Sequence, residues 1–402
     1  MKQFIKDSAE FSTRNFTEML DFLTKREQKS NYKWLTDEDG IAASDIHFYP
    51  IVPEPIMAPC HMTELQRKSA ASFGASEESF MDSMYCPSVG LEGSSQVIEV
   101  DGRLYPAGRS AIRGILERAG VKIEGYKKLM EYDPQELSSV LNSFFKASKG
   151  GVCLLIQDEK VRAVNSDRYG ICPISFVAKT TQAWINNNYP DAEVTSAYTN
   201  HDFSAWTIDL IDYTDDIFSG ADQLKQLGFT PAIIVQSSNT LSSSVMIKPC
   251  IVKGGVVFPV GKPIACPHIG KGDASSRSLQ IKETVLANFA LAYSSVSNTV
   301  AEIQNLEKIT VRNAYNALLR AMKAVGMPKM QGMEAAEIFE QVHYGKPATA
   351  LECYLAVVDA YSFVVRDNPN DIKKQFEVGE CVTKCMRIDW EKLGKIPGSF
   401  SW

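Results

Sequence analysis

The 402-residue sequence predicts an α+β protein with a largely antiparallel central sheet, helices packed on one side of it, and a helical C-terminal third. Three observations carry this. Between residues 96 and 262 the apolar residues fall in short strand-like runs, and the later ones are joined by links too short for helical crossovers. From about residue 275 they recur at helical spacing instead, as Leu279, Val285, Phe289, Val296 and Val300 show. Apolar residues make up 45% of the chain and charged residues 22%, an ordinary globular balance.

Residues 1 to about 30 read as one polar helix. The stretch "PIVPEPIMAPCHM" (50–62) follows, and its four prolines fit neither a regular helix nor a central strand. Residues 63–90 carry only weak signals, so 1–90 is expected to be an N-terminal extension with a Pro-rich arm. "QVIEVDGRLYPAG" reads as strand, Asp-Gly turn and strand; a helix closed by Gly120 follows, then a second helix with Asp133 as cap and Pro134 at its first position.

"GGVCLLIQDEKVRAVNSDRYGI" (150–171) reads as a hairpin. Residues 152–156 have no polar face and should be covered on both sides. Asp158, Glu159 and Lys160 form the expected turn, Val161 to Val164 alternate, and the polar hexad 165–170 sits where the hairpin leaves the core, a place that suits binding groups. "EVTSAYTN", "AWTIDLID", "PAIIVQSS", "SVMIKPCIV" and "GVVFPV" supply further strands, and about five helices follow. The expected core spans 91–366; 367–402 holds a last helix and a segment whose Trp390, Phe400 and Trp402 should dock on the body or on a neighbouring subunit.

A net charge of −6 speaks against a uniformly basic nucleic-acid coat but leaves room for local patches. Nine cysteines without disulfide-framework spacing, and a start lacking a signal-peptide core, lead to an expectation of reducing cytosol. No apolar run reaches membrane-helix length, so no membrane partner is expected.

"GGVVFPVGKP" fails as a phosphate-binding loop, because five residues separate Gly255 from Gly261 and Pro263 stands where a hydroxyl is required. "CPHIGKGDASSRS" (266–278) leads a basic, Gly-flexible segment into residues able to cap a long helix, with His268, Lys271 and Arg277 as candidate contacts. Cys60 with His61, Cys266 with His268, and Cys381 with Cys385 lack the tandem spacing of structural zinc; no metal, cofactor or catalytic residue is assigned. The strongest basic cluster is Arg103, Arg109, Arg113, Lys127 and Lys128, joined by Arg162 and Arg168 at the hairpin. Tyr105, Tyr126 and Tyr169 are interleaved as candidate base-stacking groups, and Glu117, Glu124 and Glu131 dilute the charge. Asn165 and Asp167 complete the candidate nucleic-acid contacts.

Several segments in order, "LYPAGRSAIRGILERAGVKIEGYKKLM", "LNSFF", "VRAVNSDRYGI", "VQSSNTLSSSVMIKPCIVKGG", "PHIGKGD" and "GKPATALECYLAVVDAY", resemble the phage/plasmid-like protein family, domain of unknown function 932, over roughly 96–365. The chain departs from that pattern at Ser237-Ser238-Asn239-Thr240 and at 250–255. The resemblance implies a phage, prophage or plasmid origin, hence a host bacterial cytosol, and implies no reaction. The leading expectation is a non-catalytic nucleic-acid-binding protein, single-stranded DNA favoured, engaging its ligand over a sheet surface bounded by the hexad and the helix start near 271, in a homo-oligomer. An assembly component using the helical third stands as the rival, and a carboxylate-dependent hydrolase as a weaker third.

Overall fold

Two hydrophobic cores lie side by side, each built on its own antiparallel sheet. The computed structural model describes residues 9–35, 46–50, 64–72, 74, 76, 77, 96–100, 103–147 and 150–402 apart from 201, 220, 241–243, 261, 369 and 370. The Pro-rich arm beyond Pro50 and the pair Cys60-His61 fall outside these residues.

The larger sheet runs in the order β1 (Phe11–Thr13), β8 (Glu193–Thr199), β9 (Ser204–Asp209), β10 (Thr230–Ser237), β11 (Val245–Lys253), β12 (Val256–Pro259), with β13 (Ile264–Cys266) also on β11. Every pairing in it is antiparallel, as the short links require. Gly254 and Gly255 take φ of 58° and 80°, which lets a two-residue turn join β11 to β12. The motif that imitated a phosphate loop is this hairpin. Along β10 the period of two sends Ile233 and Val235 into the main core and Ala232 and Ile234 to the opposite face. Into that core pack α1 (Phe16–Gln28), α6 (Ile174–Asn188), the short α7 (Thr214–Ile217) and α8 (Asp222–Gln226), and α9 (Ala274–Glu307).

The smaller core rests on a sheet ordered β2 (Ser30–Leu35), β6 (Val152–Gln157), β7 (Lys160–Ser166), beside a second ladder of β3 (His47–Pro50), β4 (Gln96–Val100) and β5 (Arg103–Pro106). Among the described residues four helices cover it: α2 (Glu64–Ser72), whose Ala70 is buried there, α3 (Arg109–Ala119), α4 (Ile123–Tyr132) and α5 (Pro134–Ala147). Gly114 lets α3 lie directly on β7, since a Cβ there would meet the Val164 carbonyl oxygen at 2.4 Å. Asp133 caps α5 as expected, its carboxylate accepting from the Gln135 and Glu136 amides at 3.0 Å each. After α9 the chain forms α10 (Ala314–Val325), α11 (Lys329–His343), α12 (Ala350–Asp367), α13 (Ile372–Met386) and α14 (Trp390–Gly394). A capping box between Thr349 and Glu352 opens α12, which is buried along much of its length. The architecture is thus a mixed α/β body with a large antiparallel sheet and a helical C-terminal region. No helix among the described residues is long and apolar enough to cross a membrane.

Four expectations need correction. The segment 11–35 is no extension: β1 pairs with β8, β2 pairs with β6, and Asn15 starts α1 by accepting from the Thr17 amide, so one helix does not run from residue 1. β7 does not alternate; residues 160–165 are all buried, because a sheet lies between two packed layers here. The turn is Asp158 and Glu159 alone, with φ of 49° and 61°, while Lys160 belongs to the strand and is 2% exposed. Helix α6 was not expected at all. The aromatic segment docks as expected: Trp390 is fully buried and donates to the Cys385 carbonyl at 3.1 Å, Arg320 lies 5.2 Å over Phe400, and Trp402 packs on Gly332.

Candidate functional site

The hexad and the segment leading into α9, distant in sequence, are stitched together by backbone. Tyr169 and Ile269 form a bridge, the Gly170 amide donates to the His268 carbonyl at 2.9 Å, and the Ile171 amide donates to Ser278 Oγ at 3.0 Å. Two glycines make the approach feasible. A Cβ on Gly170 would meet Ile281 Cδ1 at 2.1 Å, and one on Gly270 would meet Arg277 Cα and Cβ at 2.9 Å. The start of α9 is served from within, by the Asp273 carboxylate accepting from the Ser276 amide at 2.8 Å. That bond and its partners hold the Asp273 carboxyl below its usual range. An anion would therefore meet a carboxylate at this helix start.

Around this junction lies an outer face. Arg168 and Lys271 are exposed, and Ile269 is 62% exposed between them. β2 presents the half-buried Trp34, whose ring carries the Arg277 guanidinium at 5.1 Å. Beside them an open cleft of about 400 Å³ is lined by Trp34, Ile171, the first turns of α9 and Lys282, whose ammonium sits 5.4 Å over Phe176.

Beneath the face is a buried polar layer. Register places Trp34, Cys153 and Asn165 in one row across β2, β6 and β7, on the side turned from Val164 and α3. Tyr169 is 1% exposed, stacks on His268 at 5.3 Å and donates to the Asn239 carbonyl at 3.4 Å. Burial pushes His268 down to about 4, so it is neutral near pH 7. Its Nδ1 then carries the proton toward the Gly170 carbonyl at 3.4 Å, and Nε2 is left as a buried acceptor with no partner among the described residues. Both amide atoms of Asn165, the donor Nδ2 and the acceptor Oδ1, as well as Ser237 Oγ, Asn239 Oδ1 and the Tyr32 hydroxyl, likewise have no partner among the described residues. Next to them the Asp202 carbonyl accepts from Ser238 and from Thr240 at 3.0 Å, and Ser110 donates to the Asp202 carboxylate. Burial raises the Cys153 and Cys172 thiols to about 12, so neither is a thiolate near neutrality.

The structure gathers Asn165, Arg168, Tyr169, His268, Lys271 and Arg277 at one place, and divides the remaining candidates. Arg162 is 3% exposed, so it is no surface cation. Arg103 pairs with Glu159 at 3.4 Å by the hairpin turn. Arg113 on α3, and the exposed Lys127 and Lys128 on α4, lie on the far side of the small sheet, because α3 covers the Val164 face of β7, while Arg109 stands at the first turn of α3 beside Ser110, away from the Trp34 cleft. Asp167 lies against Gly150 and in the field of Arg118. Tyr105, Tyr126 and Tyr169 are all core residues and present no open ring. Sequence reasoning missed Trp34, the one aromatic among the described residues that borders the cleft, and the polar run 237–240, which showed only as a departure from a family pattern. Among the described residues no three His, Cys, Asp or Glu side chains gather as a metal site would need.

Comparison of the chain with protein-family models, with curated proteins and with solved structures gives no match.

Proposed function

We propose that this protein binds nucleic acid, single-stranded DNA foremost, as a phage- or plasmid-encoded component of replication or recombination. The observation that carries the proposal is the Arg277 guanidinium on Trp34, the aromatic wall of an open cleft that Lys282 also lines, with Arg168 and Lys271 exposed on the two segments that the neighbouring backbone junction joins. Single-strand binders need an aromatic platform beside cations that track the backbone, and this is the place on the described surface where the candidate residues converge on both. The origin follows the family resemblance. Titration of a labelled oligonucleotide over a salt series tests the proposal. Trp34→Ala should weaken binding by about 1–3 kcal/mol. Arg168→Ala and Lys271→Ala, at exposed positions, should each reduce the salt slope by about 0.7 and leave the melting temperature unchanged. Equal affinity across all three variants would remove the basis for this site.

A second function, self-association through the helical third, is favoured by Met330, Ile338 and Val342, which are 67%, 45% and 68% exposed along one side of α11. Light scattering of wild type and Val342→Asp tests it: a monomer in both would discard it.

A further inference from the structure

A second cavity, of about 360 Å³, opens at the other end of the small hairpin, between α1, the β6–β7 turn and the β8–β9 turn. Neither Trp34 nor Arg277 borders it. Its size lies at the low end of ligand pockets and matches a mononucleotide better than a dinucleotide.

Two arginines reach its interior for identifiable reasons. Leu155 pairs with Ala163 and Ile156 with Val161, so Arg162 is the extra residue of a β-bulge in β7. A bulge re-aims a side chain, and here it brings a guanidinium that is 3% exposed to the cavity wall. Arg26, from the last turn of α1, is fixed in orientation. Its Nε donates to Gln157 Oε1 at 3.0 Å, and its Nη1 donates to Thr199 Oγ1 at 3.1 Å and to the Asn200 carbonyl at 2.7 Å. Burial, and then the charge of Arg162, lower Arg26 to about 10, so Arg26 remains cationic at neutral pH.

Charge and shape around the pair are equally specific. Lys25 and Lys29 line the cavity with them, against Glu10 and Asp158, and Asp158 is already engaged by Lys29 at 3.3 Å. Among the described lining residues the basic side chains outnumber the carboxylates four to two. Opposite lies an aromatic wall, Phe11 stacked on Phe22 with centroids 4.6 Å apart and planes 12° apart; Phe22 remains 37% exposed. A small planar group could lie on that ring while an anion sits in the low-dielectric pocket beside two rigid guanidiniums, where charge-assisted bonds are strongest.

We propose that this cavity binds a nucleoside phosphate, with the phosphate received by Arg26 and Arg162 and the base held against Phe22. The group could come from a free nucleotide or from the phosphorylated end of a strand. Calorimetry on the full-length protein tests both, using adenosine monophosphate, adenosine, inorganic phosphate, and one oligonucleotide with either a 5′-phosphate or a 5′-hydroxyl. We expect a measurable heat with one phosphate-bearing nucleotide probe, and at least about tenfold weaker binding of adenosine and of inorganic phosphate. Arg162→Gln should abolish that binding; because Arg162 is buried, Phe22→Ala and Lys25→Glu at the rim serve as variants that leave the fold alone, and each should lower affinity about fivefold or more. A gain from the 5′-phosphate that Phe22→Ala removes assigns the strand end; binding of the free nucleotide alone assigns the free nucleotide, and either supports the proposal. No binding of any phosphate-bearing probe at millimolar concentration, or binding unchanged in both rim variants, overturns it. Trp34→Ala does not touch this cavity, so its failure and that of the strand-binding face are told apart.

Discussion

Replacing Gly270 by alanine should loosen the junction that holds the outer face together. The added Cβ would stand 2.9 Å from Arg277 Cα, 2.9 Å from its Cβ and 3.0 Å from its Cγ. Carbon atoms prefer about 3.5–4.0 Å, so the first turn of α9 must retreat by roughly 0.6–1 Å. Two of the three atoms met belong to or adjoin backbone and cannot rotate away, which puts the cost in the upper part of the usual overpacking range of about 1–3 kcal/mol. Because Arg277 also rests on Trp34, the same retreat should separate guanidinium and ring and weaken oligonucleotide binding. Gly125 supplies the internal comparison: it is exposed within α4 with nothing within 4 Å of its added Cβ, so Gly125→Ala should stabilise by about 0.5–1 kcal/mol. Urea denaturation followed by tryptophan fluorescence, paired with a binding titration, reads both. If Gly270→Ala falls within about 0.5 kcal/mol of wild type with unaltered affinity, close packing at this glycine does not hold the face.

Three further outcomes are expected. With His268 lowered to about 4 from an ordinary 6.5, the unfolded chain takes up a proton between those values while the folded chain does not, so stability should fall by about 3 kcal/mol as pH drops from 6.5 to 4, and His268→Gln should remove that share of the slope in urea melts at pH 4.5 and 7.5. Lys248 is 3% exposed and pairs with Glu380; Glu380→Gln should cost about 3 kcal/mol by stranding a buried ammonium, and adding Lys248→Met should restore most of it in the same denaturation assay. Trp390→Ala should cost about 3–5 kcal/mol, read as a lower melting temperature, and an unchanged melt would show that the indole is not anchored in the helical core.

Local chemistry explains which elements were legible in the sequence. The run 152–156 could be read as a doubly covered strand because it has no polar side, and the α5 start because Asp133 and Pro134 fill fixed roles. Helix α6 was hidden by its β-branched residues, Ile174, Val177, Thr180 and Thr181, which blur the helical period. β1 and β2 were hidden because their partners lie far along the chain, Thr199 for Phe11 and Gln157 for Ser30, and nothing nearby announces such pairing. At the candidate site, the meeting of the hexad with 268–277 was anticipated. The splitting of the basic residues was not, since counting Arg113 and Arg168 into one cluster takes no account of the sheet lying between them. Nor could the bulge that buries Arg162 be read, because a register shift leaves no mark in composition.

The position of β6 between β2 and β7 bears on how the chain reaches this state. Val-Cys-Leu-Leu-Ile is uncharged and proline-free, the kind of strand that recruits other chains when one edge is bare. During synthesis β2 leaves the ribosome well before β6, so the protecting strand is already waiting when the apolar one emerges. Refolding from denaturant reverses the order of events. The β6–β7 hairpin needs only a two-residue turn and closes in about 1–10 μs, whereas β2 must first close a loop of well over a hundred residues. In that interval one edge of β6 stands open to neighbouring molecules, and recovery of the native protein should decline steeply as its concentration in the refolding mixture rises.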